Sequence, residues 1–131
     1  MNRTILSAVV LSWSLSASAL SIESVTFLKD ADGSPGEEVE EFLATDQVQH
    51  FEIKLDEVKV GKHEFSVEFW AVETNAASNV KVTEFKTGAL LVNTINAKIS
   101  LPRDWPIGDY RLDVKMDGKL VESYDYEVSE P

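Results

Sequence analysis

Apolar and polar residues alternate with a period of two along most of the chain beyond residue 21. Tyr110, Leu112, Val114 and Met116 fall on one side, and Asp109, Arg111, Asp113 and Lys115 on the other, which is the pattern of a strand buried on one face. Asp117-Gly118 follows, and this pair suits a tight hairpin whose two central residues need positive φ. The return strand runs from Lys119 to Val128, with Tyr124, Tyr126 and Val128 on one face and Ser123, Asp125 and Glu127 on the other. Adjacent Leu120 and Val121 break its phase and imply a bulge near Glu122. Earlier strands are predicted over 22–29, over a segment in which Phe51, Ile53 and Leu55 alternate with Glu52 and Lys54, and over 94–101. Another covers 63–72, where Phe65, Val67, Phe69 and Ala71 oppose Glu64, Ser66, Glu68, Trp70 and Val72. A short strand over 80–85 belongs near a sheet edge because Lys81, Glu84 and Lys86 are charged, and Gly88 is expected to end it. The apolar run 89–92 is left without an element. About seven strands at this spacing, with no helix longer than about two turns, predict an all-β antiparallel sandwich.

The stretch before the last hairpin adds a corner. Pro102 and Pro106 cannot donate to a ladder and should end the preceding strand; Gly108 permits a sharp bend, and Tyr110 follows by two. This resembles the tyrosine corner of immunoglobulin-like sandwiches, in which a Tyr near the start of the penultimate strand bonds back to the backbone upstream. Leu112 holds the place of the cysteine of antibody domains, so an apolar contact would replace the disulfide. The run Trp105-Pro106-Ile107-Gly108-Asp109-Tyr110, with Asp117-Gly118-Lys119, is similar to the C-terminal end of small immunoglobulin-like domains of secreted and periplasmic bacterial proteins. The likeness covers the last quarter of the chain by residues and the rest by strand rhythm. It implies an immunoglobulin-like antiparallel β-sandwich of about seven strands. Such domains bind, brace or present and share no single activity, so no site residues carry over. In antibody domains a Trp on the third strand packs in the core, whereas Trp70 is out of phase with that role, so the resemblance is to the broad class.

The first residues read differently. Arg3, an apolar run from Ile5 to Leu15, and the small residues Ala17-Ser18-Ala19 form the pattern of a secretory signal peptide over 1–19. Cleavage after Ala19 would leave one domain, residues 20–131, in the periplasm or outside the cell, with no stable membrane anchor. The run is too short and too Ser-rich to span a bilayer. The chain contains no cysteine, which excludes a disulfide, a thiol nucleophile and a thiolate metal site.

The net charge is −11, and loss of Arg3 with the leader makes it −12. Such a charge opposes nucleic acid and anionic membrane surfaces, and it is compatible with a basic protein partner or simply with solubility. Six acids crowd residues 30–41, around Gly33, Pro35 and Gly36, and a solvated acidic loop is expected there. An EF-hand is excluded, because placing its glycine at Gly33 would put Leu28 and Val39 at the terminal ligand positions.

No catalytic residues, metal ligands or cofactor are predicted. The only histidines are His50 and His63, each at the start of a strand; if those two strands paired, the imidazoles would lie at opposite ends. Gly-x-Ser-x-Gly is absent, and carboxylate pairs mean little in so acidic a chain. The candidate ligand- or partner-binding residues are Trp70, Trp105 and Tyr124, with Tyr126 beside them, because flat aromatics stack on sugars and anchor protein interfaces. The expected function is a non-enzymatic exported interaction module that contacts an unknown, basic protein. A carbohydrate-binding module holding a glycan on these aromatics is the second reading, and a small hydrolase the third.

Overall fold

The computed structural model describes residues 20–57, 61–90 and 93–131. The expected signal peptide, 1–19, lies outside the described residues, as does part of the apolar run 89–92. Among the described residues there are nine strands and no helix: β1 (Ile22–Ala31), β2 (Ser34–Val39), β3 (Phe42–Leu43), β4 (Val48–Leu55), β5 (His63–Thr74), β6 (Ser78–Leu90), β7 (Thr94–Ser100), β8 (Gly108–Met116) and β9 (Lys119–Ser129). They form two sheets, ordered β2-β1-β4-β7 and β3-β9-β8-β5-β6. All pairings are antiparallel except that of β3 with β9.

The alternating positions face one another across the sandwich. Phe51, Ile53 and Leu55 of β4 and Ile95, Ala97 and Ile99 of β7 meet Phe65, Val67, Phe69 and Ala71 of β5, and all are buried. Phe51 sits among the aromatics, with ring centroids 5.0 Å from Phe69, 5.2 Å from Phe42 and 5.4 Å from Tyr126. Leu112, at the cysteine position of antibody domains, is fully buried.

The hairpin β8–β9 turns through Asp117 and Gly118 at φ 51° and 84°, as Asp-Gly predicts. Val114 pairs with Glu122 and Lys115 with Leu120, so Val121 is the bulged residue. That bulge turns Val121 against the core and leaves Leu120 exposed. The corner closes as the sequence implies: the Tyr110 hydroxyl donates to the Pro106 carbonyl at 2.6 Å. Gly108 has φ 147°, and a Cβ there would lie 2.3 Å from the Glu73 carbonyl oxygen, so only glycine fits this close approach.

Two expectations are corrected. The acidic segment 30–41 is largely a second hairpin: Asp32 and Gly33 take φ 54° and 92°, and Ser34–Val39 returns along β1 as an edge strand, a position that tolerates Pro35. Gly88 does not end its strand. It takes φ 78° beside a bulge at Thr87, whose hydroxyl bonds the Phe65 backbone, and β6 continues to Leu90. The strands that begin near His50 and His63 do not pair, so the condition set for their imidazoles does not arise: β4 and β5 lie in opposite sheets.

Candidate interaction surfaces

The outward positions of β5, β6, β8 and β9 make one face, and Trp70 lies on it. The Arg111 guanidinium sits over the Trp70 ring at 5.2 Å, and the indole nitrogen donates to Glu68 at 3.2 Å. Glu68 also accepts from Lys115 at 3.1 Å, with Lys81 at 3.7 Å. Arg111 bonds Asp113 through Nε at 2.8 Å, and Ser123 donates to the same carboxylate at 2.6 Å. Burial works to raise the Glu68 carboxyl, but the bonds from Lys115 and Trp70 outweigh it and hold it below its usual range. A shallow depression of about 350 Å³ beside this network is lined by Glu64, Ser66, Glu68, Glu84, Lys86 and Lys115 among others. Two lysines stand beside three glutamates there, so it presents little net charge to a partner.

Trp105 is placed in the core, not on the surface. It is 2% exposed, its indole nitrogen donates to the Gln47 carbonyl at 3.0 Å, and it plugs the end of the sandwich beside Tyr110. Tyr124 is 37% exposed and lies at the seam between the sheets, its ring 6.4 Å from that of Phe27. Tyr126 is buried, and its hydroxyl, which has no partner, is pushed well above the usual tyrosine range by desolvation. The three candidate aromatics therefore do not converge.

The histidines brace hairpins. His50, 4% exposed, lies 2.7 Å from Asp30, which also accepts from the Gly33 amide. His63 lies 2.7 Å from Asp117, which accepts from the Glu64 amide. The two hydrogen bonds from these imidazoles lead the causes that hold Asp30 and Asp117 below the usual carboxylate range. Among the described residues no three His, Asp or Glu side chains gather as metal ligands.

Two further depressions flank β9. On the outer face, about 380 Å³ is bounded by Val72, Asp109, Tyr110, Asp125, Tyr126 and Glu127. At the seam, about 310 Å³ is bounded by Phe27, Glu40, Glu41, Tyr124, Asp125, Tyr126 and Glu127. No lysine, arginine or histidine lines either one. Arg111 stands opposite Asp125 in register, yet its guanidinium turns to Asp113. Aromatic chemistry does not single out these acids. Their signal was the outward alternation of Asp125 and Glu127 together with Asp109 on the neighbouring strand.

No family model matches the chain, and no curated protein matches it in sequence. Among solved structures it is similar to an immunoglobulin-like protein of Pseudomonas aeruginosa, at 14% identity and a TM-score of 0.50, covering 85% of this chain and 97% of that one. It is also similar to the alkylpurine DNA glycosylase AlkC of Pseudomonas fluorescens bound to DNA containing an abasic-site analogue, at 13% identity and a TM-score of 0.49. That match covers 84% of this chain, which spans 30% of the glycosylase chain. With its two sheets and closed tyrosine corner, the chain has an immunoglobulin-like β-sandwich fold.

Proposed function

We propose that the protein is an exported, non-enzymatic interaction module that contacts a basic protein in the periplasm or outside the cell. The observation that carries this reading is the pair of acidic depressions on either side of β9, which no basic side chain lines. In a chain of charge −11, whose Lys81, Lys115 and Arg111 on the sheet face are engaged with Glu68, Glu84 and Asp113, these are places where negative charge is left for a partner. Export rests on the leader-like pattern of residues 1–19 and on the likeness of the final hairpin to domains of secreted and periplasmic bacterial proteins. The glycan reading has weaker support, since Trp105 is buried and Arg111 covers a face of Trp70.

The test is a pull-down from envelope and culture-supernatant extracts with the chain from Leu20 as bait, washed with rising salt. A basic protein held at low salt and released at high salt is the expected result. An empty pull-down beside clear retention on a glycan or peptidoglycan matrix would replace this reading with the carbohydrate one.

A further inference from the structure

The far edge of β9 is open over most of its length. On one side β9 pairs with β8 from Lys119 to Val128. On the other, β3 covers only Val128 and Ser129. The chain bends away at Glu40 and Glu41, because β2 belongs to the opposite sheet, and so among the described residues the edge from Leu120 to Glu127 pairs with no strand, although the Ile22 amide at the start of β1 donates to the Glu122 carboxylate at 2.7 Å. Beyond the bulge at Val121 the register of β9 is regular. The other exposed edge of this sheet, β6, differs. Two bulges and positive φ at Asn79 and Gly88 interrupt it, which are devices that discourage strand addition.

We propose that the β9 edge accepts an extended basic segment of a partner protein as an added strand, continuing the line that β3 begins. This rests on the reading above and names the site for it. The unpaired amides and carbonyls of the edge would supply the ladder, and alternate side chains of the segment would enter the seam. There, one lysine or arginine would lie against Tyr124 while Glu40 and Glu41 meet its charge, and the segment's side chains on the outer side would meet Asp125 and Glu127. Charge also decides against a second copy of this chain. Two β9 edges laid antiparallel with Asp125 opposite Glu127 would set acid against acid twice, and like charges across a strand pair repel.

The probe is a short synthetic peptide of alternating lysine and valine, with a second version N-methylated at alternate amides. Binding to the full chain is read by fluorescence anisotropy and by backbone hydrogen exchange. The unmodified peptide should bind at low salt and slow exchange within Glu122–Glu127. The N-methylated peptide, and the exposed double variant Asp125→Lys/Glu127→Lys with the unmodified one, should each bind at least about tenfold more weakly. No binding, equal binding of the two peptides, or protection on β6 instead would overturn the β9 site. A basic protein retained in the salt-washed pull-down alongside any of those outcomes would leave the broader reading standing, whereas no retained basic protein would remove that reading whatever the peptide does.

Discussion

Replacing Tyr110 by phenylalanine isolates the corner between β7 and β8. The ring is 1% exposed, lies 5.7 Å from Tyr126 in a stacked arrangement and 6.0 Å edge-on from Trp105, and Phe preserves both contacts. Only the hydroxyl and its 2.6 Å bond to the Pro106 carbonyl are lost. A neutral hydrogen bond of this kind contributes about 0.5–1.5 kcal/mol net. Depriving the half-buried Pro106 carbonyl of its donor adds a smaller amount, so the expected loss is about 1–2 kcal/mol. For a chain of this size each kcal/mol moves Tm by roughly 4 °C, and the variant should melt roughly 4–8 °C lower. Thermal and urea unfolding followed by circular dichroism measure both quantities, and the urea slope should be unchanged because the surface exposed on unfolding is the same. Tyr124→Phe, at the exposed seam, is the control and should stay within about 0.5 kcal/mol of the parent. A Tyr110→Phe variant as stable as that control would refute the view that the corner bond holds the fold.

Three further outcomes are expected. Trp105→Ala should cost about 3–5 kcal/mol in urea unfolding, whereas Trp70→Ala, on the outer face, should cost about 1 kcal/mol; equal costs would contradict the placement of the two rings. Gly108→Ala should lose about 3 kcal/mol or fail to fold, because its Cβ would meet the Glu73 carbonyl; a soluble variant of parental Tm would show that this approach is loose. Burial pushes the Tyr110 hydroxyl up to about 12, and Tyr126 is raised as well, so the folded chain holds protons that the unfolded chain releases. Their stabilisation is full below pH 10 and is lost as pH rises towards 12, so alkaline titration of Tm should fall in that window, and less steeply in Tyr110→Phe.

The strands with strict alternation were legible because one buried face forces a period of two: Phe65 to Ala71 and Ile95 to Ile99 sit inward as their sequence predicts, and Trp70 sits outward. The final hairpin was legible because Asp117-Gly118 is a local signal. The same signal stood at Asp32-Gly33, but the surrounding acids and Pro35 masked it, and their meaning depends on β2 being an edge strand, a property of the whole sheet. Gly88 misled for a related reason, since a bulge is settled by the partner strand and not by the residue alone. The aromatic candidates were scattered because composition says which side chains can bind, while the seam and the end plug decide which are exposed. The acidic ground beside Tyr124 needs residues from 27, 40–41 and 124–127 together, a neighbourhood that the packing of β1 across the seam and the pairing of β9 with a two-residue β3 create.

The most direct test of the central claim is to repeat the salt-washed pull-down with two baits in parallel, the parent chain and Asp125→Lys/Glu127→Lys, after confirming equal Tm. The account predicts a basic protein on the parent at low salt and its loss from the charge-reversed bait. The same protein on both baits in equal amount, or none on either, would contradict it.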